Sequence, residues 1–97
     1  MNSTLIFTAT YNEAPNIKNL INQILKSSEQ TDILIIDDNS EDKTFEIIEK
    51  NYKNNHRINL IKREKKLGLD TAHKMAFEYA KKKKIRKINN NGRGLVS

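Results

Sequence analysis

The chain has no cysteine among its 97 residues. That excludes a disulfide framework and any thiolate metal site. It fits a reducing compartment, so a cytoplasmic location is expected. No apolar run approaches the roughly 18 residues that a membrane-spanning helix needs. The opening residues show no secretory leader pattern. No segment repeats at a fixed period. His56 and His73 have no partner at a metal-binding spacing and read as surface residues. Acid is missing from the end of the chain, where no Asp or Glu follows Glu78.

What is present suits one small globular domain. Hydrophobic residues make up 36% and charged residues 31%, a balance on the polar side of the globular range. The net charge of +6 is unevenly placed. Residues 1–80 hold 11 Lys or Arg against 12 Asp or Glu, whereas residues 81–97 hold 7 bases and no acid. A basic tail can attract nucleic acid or anionic lipid. The plainer reading is a solvated helix end and a disordered terminus.

The hydrophobic pattern alternates between strand-like and helix-like segments. Leu5 to Thr10 is a short β-branched run long enough for a buried strand. Ile17, Leu20, Ile21, Ile24 and Leu25 then line one helix face, with Pro15 suited to its first turn. Ile33-Leu34-Ile35-Ile36 is continuous, as expected for a strand covered on both faces. Phe45, Ile48 and Tyr52 give a weaker helical stripe that Ser40 or Asp42 can cap. Ile58 to Ile61 reads as a third strand. Leu69, Ala72, Ala76, Tyr79 and Ala80 mark a third helix, with Gly68 permissive just before it and Asp70 or Thr71 as its cap. Ile85 begins a strand-like stub that dissolves into Asn89-Asn90-Asn91-Gly92. The order βαβαβα argues for an α/β fold with a largely parallel, Rossmann-like sheet.

Two strand ends run straight into polar loops, Thr10-Tyr11-Asn12-Glu13 and Asp37-Asp38-Asn39-Ser40. In an open parallel sheet, ligands bind at the carboxyl ends of the strands. A Tyr there can stack on a base, and a carboxylate can accept hydrogen bonds from a base edge. Of the two carboxylates, one is expected to face the sheet edge and the other solvent, since burying both in an apolar core is costly. Either segment alone is equally an ordinary polar turn. An acidic pair also marks phospho-acceptor receiver domains, although there it usually follows the first strand.

Ala9-Thr10-Tyr11-Asn12-Glu13 together with Ile36-Asp37-Asp38-Asn39-Ser40 resembles the opening of the family 2 inverting glycosyltransferases. Arg63-Glu64-Lys65-Lys66-Leu67-Gly68-Leu69-Asp70-Thr71-Ala72 is similar to the matching stretch of dolichyl- or polyprenyl-phosphate mannosyltransferases. The resemblance spans about residues 4–80 and implies the amino-terminal half of a GT-A fold. It implies that Ala9, Tyr11, Glu13, Ile36 and Asp38 line the donor nucleotide pocket. Arg63 and Gly68 fall in the loop before the third helix. The resemblance further implies GDP-mannose or a related donor and a lipid-phosphate acceptor at the membrane surface. No nucleic acid partner is expected. A divalent metal, Mg or Mn, serves such enzymes. The chain departs from the pattern at Ala9, where Pro is usual, and at Asp70, where Gly or Ser is usual.

The larger departure lies where the family carries an Asp-x-Asp metal motif after a fourth strand. Residues 1–84 are expected to form a partial nucleotide-sugar-binding domain and residues 85–97 an aberrant basic tail, so turnover is not expected. Asn-Asn-Asn-Gly-Arg-Gly can be encoded so that the next reading frame gives Ile-Thr-Met-Asp-Ala-Asp. A truncated or frameshifted product is the expectation, and the DNA around codon 89 tests it. The competing readings are a non-enzymatic binding module with a basic tail and a receiver-like phospho-acceptor.

Overall fold

A computed structural model describes residues 4–27, 31–64 and 69–90. Seven elements alternate along it: β1 (Thr4–Thr10), α1 (Ile17–Ser27), β2 (Asp32–Asp37), α2 (Thr44–Tyr52), β3 (Ile58–Lys62), α3 (Leu69–Lys82) and β4 (Lys87–Asn90). The four strands form one sheet in the order β3-β2-β1-β4, and every pairing is parallel. The expected α/β, Rossmann-like architecture is therefore present.

The period-2 rule divides β1 and β2 between two cores. On one face Ile6, Ile33 and Ile35 meet Ile17, Leu20, Ile21 and Ile24 of α1 and Ile48 of α2. On the other Leu5, Phe7, Ala9, Leu34 and Ile36 meet Ala72, Ala76 and Ala80 of α3. The connections β1-α1-β2-α2-β3 step one way across the sheet, and α3 carries the chain back past β1. The strand order reverses at β1, and a ligand crevice in such sheets opens at the carboxyl ends beside that reversal.

Four local readings are corrected. Pro15 lies in the turn before α1, not in its first turn. The stub from Ile85 becomes the strand β4 at Lys87 and pairs with β1, Thr4 opposite Lys87 and Phe7 opposite Asn90. It therefore covers the edge of β1 opposite β2, and β3 and β4 are the outer strands of the sheet among the described residues. His73 is half-buried, its ring meeting Phe7 edge-on at 5.2 Å. Asp70 lies within the first turn of α3, where its charge favours the helix dipole, and Thr71 sits one residue further in. Gly68 and the tail from residue 91 lie outside the described residues.

The end of α3 is closed by two bonds. The Ile85 N–H donates to the Ala80 carbonyl (2.9 Å) and the Lys84 N–H to the Lys81 carbonyl (3.1 Å). This is a Schellman closure with Lys84 at φ 58°, the left-handed position glycine usually takes. It turns Ile85 inward against the α3-side core.

Thr8 is fully buried on the α1 side, and its hydroxyl has no hydrogen-bond partner among the described residues. An orphaned buried hydroxyl costs about 1–3 kcal/mol. Thr8→Val keeps the shape and removes the orphan, so it is expected to raise the urea midpoint by about 1 kcal/mol equivalent. An unchanged or lowered midpoint contradicts the assignment.

Candidate active site

The carboxyl edge of β1 and β2 is built by two loops that hold each other. The strands stay paired to their ends, with Ala9 opposite Ile36 and Thr10 opposite Asp37. One step further, the Asp38 N–H donates to the Thr10 carbonyl at 2.9 Å. Tyr11 and Asp38 therefore leave the sheet side by side on a single rim.

Asp37 and Asp38 are both fully buried, which corrects the expectation that one faces solvent. The sequence-level cost argument assumed unpaired carboxylates, and neither is unpaired. Asp37 accepts from the Thr10 hydroxyl (2.8 Å), the Ser40 hydroxyl (2.7 Å) and the Ser40 N–H (3.0 Å). Asp38 takes both Nε and Nη2 of Arg63 in a two-pronged ion pair, the second contact at 2.7 Å. Arg63 is itself only 5% exposed, and its Nη1 reaches the Thr71 hydroxyl and the Met75 sulfur. The guanidinium fork suits such a carboxylate better than a point-charge ammonium would. Thr71 is thus a partner of Arg63 rather than a helix cap. The pair ties β2 to the first turns of α3.

Three successive N–H groups after β1 are taken by side chains of the second loop. Asn12 donates to the Ser40 hydroxyl (2.8 Å), Glu13 to the Thr44 hydroxyl (2.9 Å) and Ala14 to the Asp42 carboxylate (2.9 Å). In return the Asn12 side-chain Oδ1 accepts from the Glu41 N–H at 2.8 Å. Asn12 and Asn39 hold positive φ, 53° and 57°, which Asn tolerates better than most residues. Ser40 therefore serves Asp37 and Asn12 rather than capping α2. Asp42 does contact the helix start, accepting from the Thr44 N–H (3.1 Å) and hydroxyl, although the cap position itself is Lys43.

The candidate residues occupy this edge at different depths. Ala9 and Ile36 are buried neighbours in the α3-side core. Glu13 is 5% exposed, and Tyr11 is half-buried at the rim. Sequence reasoning missed Thr44, Ser40 and Asp42 as the clamp between the loops, and Thr71 as the partner of Arg63. The alternation of Asp, Ser and Thr from Asp37 to Thr44 was the available signal, since these residues bond nearby backbone.

Burial acts to raise the pKa of Asp42 and is the largest single influence. The bonds from the Thr44 hydroxyl and from the Ala14 and Thr44 N–H groups together outweigh it, so the carboxyl sits below its ordinary 3.8. A lowered native value stabilises the fold above the unfolded value and is lost as pH falls through the native one. Asp42→Asn is expected to be less stable than the parent at pH 6, with the gap closing below about pH 3.8. Urea midpoints across that range measure it, and a gap independent of pH refutes it.

The fold and rim define an open parallel α/β domain whose carboxyl edge carries two polar loops hydrogen-bonded to each other. The glycosyl transferase family 2 model matches residues 5–86, and the chain belongs to that family. Among solved structures it is similar to the mannosyltransferase PcManGT from Pyrobaculum calidifontis, determined in complex with GDP-Man and Mn2+. The TM-score is 0.72 at 20% identity, over 80% of this chain and 24% of the neighbour's. At that identity the likeness is one of fold, and the chain spans about a quarter of the neighbour's length. It corresponds to the Rossmann-like amino-terminal half of a GT-A domain. No curated protein matches the chain.

A divalent metal is implied by the family pattern, and the donor set here does not fit one. Among the described residues no three His, Asp or Glu side chains converge to hold a cation. Asp37 is held by Thr10 and Ser40, and Asp38 by Arg63. No chemical step is assigned to a metal on these residues.

Proposed function

We propose that the carboxyl edge of β1 and β2 receives the nucleotide of a GDP-mannose-type donor. The observation that carries the reading is the common rim of Tyr11 and Asp38, fixed by the bond between Asp38 and the Thr10 carbonyl. Tyr11 offers a ring to the base, and the buried Asp38–Arg63 pair lies beside it as the polar partner under the rim. Glu13 supplies a nearby carboxylate, with Ala9 and Ile36 as the apolar floor. The family membership and the fold likeness support the transferase class.

The parent reaction is transfer of a mannosyl or other hexosyl group to a dolichyl or polyprenyl phosphate. The acceptor phosphate oxygen forms a bond to the anomeric carbon, the bond to the diphosphate oxygen breaks, and the configuration inverts. That oxygen is already anionic near neutral pH, so the step needs no strong base. The described residues of this chain bind and orient the donor and do not complete the reaction. The burial of Asp37 and Asp38 counts against a phospho-acceptor role for either.

Amide chemical shifts of the full 97-residue chain during titration with GDP, UDP and ADP test the reading. GDP is expected to move residues 9–13 and 36–40 at lower concentration than the other two. Equal response to all three, or shifts confined to other residues, overturns it.

A further inference from the structure

We propose that the outer face of α3, with the turn leading into β4, is a docking surface for an anionic lipid bilayer. Phe77 is 61% exposed, the one large hydrophobic side chain so exposed among the described residues. It borders a groove of about 350 Å³ whose apolar wall is Ala76, Ala80, Ile85 and Ile88, with Lys81 and Arg86 also lining it. From Lys81 to Lys87 every residue except Ile85 is cationic, and each of those cations is exposed. Past the first turn, α3 carries a single acid, Glu78.

An exposed ring beside aliphatic side chains and ringed by cations is the composition of an interfacial membrane contact. The ring and aliphatic groups enter the acyl boundary while Lys stems reach the phosphates. Charge alone would equally suit a soluble polyanion. The aliphatic groove is what favours the bilayer, since base stacking uses the aromatic face and has no need of Ile85 or Ile88. Held this way, α3 lies flat on the surface. The cationic turn sits at the amino ends of the strands, where Lys87 pairs with Thr4. The first turns of α3 reach the carboxyl edge through Arg63 and Thr71, so a helix lying flat runs along the surface from one end of the sheet to the other. The benefit to transfer onto a lipid phosphate rests on the function proposed above, whereas binding to the bilayer does not.

Co-sedimentation of the full chain with vesicles tests it without any nucleotide. The vesicles are phosphatidylcholine alone or phosphatidylcholine with 30% phosphatidylserine. Partition is expected only into the anionic vesicles and falls steeply with added salt. Removing one surface cation by Lys81→Gln is expected to weaken partition about fivefold. Phe77→Ser should weaken it about tenfold or more, while circular dichroism shows the helix content retained. Lys50→Gln, on α2 across the sheet, should change it little. Equal binding to neutral vesicles, indifference to Phe77→Ser, or capture by a single-stranded RNA with none by vesicles overturns the proposal. Failure of the GDP titration leaves this result unaffected, so the two readings fail separately.

Discussion

Asp38→Ala is expected to lower the free energy of unfolding by about 3–5 kcal/mol, a large share of the roughly 5–15 kcal/mol that folded domains usually have. The loss comes from the partner left behind. Arg63 stays buried at 5% exposure, and the Thr71 hydroxyl and Met75 sulfur that its guanidinium also meets are neutral and do not replace the carboxylate. A buried charge stripped of its counter-ion costs several kcal/mol. The double variant Asp38→Leu/Arg63→Met removes both charges and fills similar volume. It is expected to recover most of the single-variant loss, because neither charge then has to be desolvated. Urea unfolding of the two single variants and the double closes the cycle, with a coupling of at least about 2 kcal/mol expected. Single variants within about 1 kcal/mol of the parent contradict the buried pair, since that is the range of an exposed one. The double variant also separates the two roles of Asp38. If it folds and GDP no longer moves the rim amides, the carboxylate reads the base as well as holding the loop.

That pair shows where the sequence stops being legible. The strands and helices follow from short periods that neighbouring residues carry themselves. Leu5 to Thr10, Ile33 to Ile36 and the α1 stripe all appear where the pattern places them. Pairing across the fold is different. Asp38 meets Arg63, 25 positions away, only because β3 lies beside β2 and the chain then turns toward α3. A reader of Asp37-Asp38 alone sees two like charges and sends one to solvent. The strand β4 was obscured for a related reason. Lys-Ile-Asn-Asn has weak strand preference of its own, and it becomes a strand because the edge of β1 offers unpaired backbone groups. His73 read as a surface residue because its position on a charged helix says nothing about Phe7 beneath it.

The clamp between the first two loops lies between these extremes. Of its residues, Ser40 and Asp42 were visible as cap formers and Asn12 as part of a polar loop, whereas Thr44 was not singled out. Their chemistry was legible and their partners were not. Asx and hydroxyl side chains bond whichever N–H is nearest, and here the nearest N–H groups belong to the other loop. The consequence for function is that the rim is prearranged. Asn12, Glu13 and Ala14 already have their N–H groups satisfied, so a nucleotide meets an ordered loop and the cost of ordering it on binding is reduced.

Phe7→Ala is the second large loss expected, about 3–5 kcal/mol, and it arises from packing alone. Phe7 is fully buried in β1, the strand flanked by β2 and β4, on the face that α3 covers. Its helix neighbours Ala72, Ala76 and Ala80 are small, which lets α3 lie close to the sheet and makes the ring the main filler of that layer. Three alanines have no rotamers with which to move into the vacated space, so the cavity persists and the cost falls at the upper end of the range. His73 loses its edge-on contact with the ring at the same time. Phe7→Leu keeps most of the volume and is expected to cost less than about 2 kcal/mol. On the opposite face Ile35→Val removes a single methylene from a layer of longer side chains and should cost about 0.5–1.5 kcal/mol. Urea midpoints of the three variants, taken with unchanged slopes, give the order. If Phe7→Ala costs no more than Ile35→Val, then α3 is not seated on β1. In that case the Arg63 bridge has no fixed helix to hold Asp38 against, and the rim loses the support argued for it.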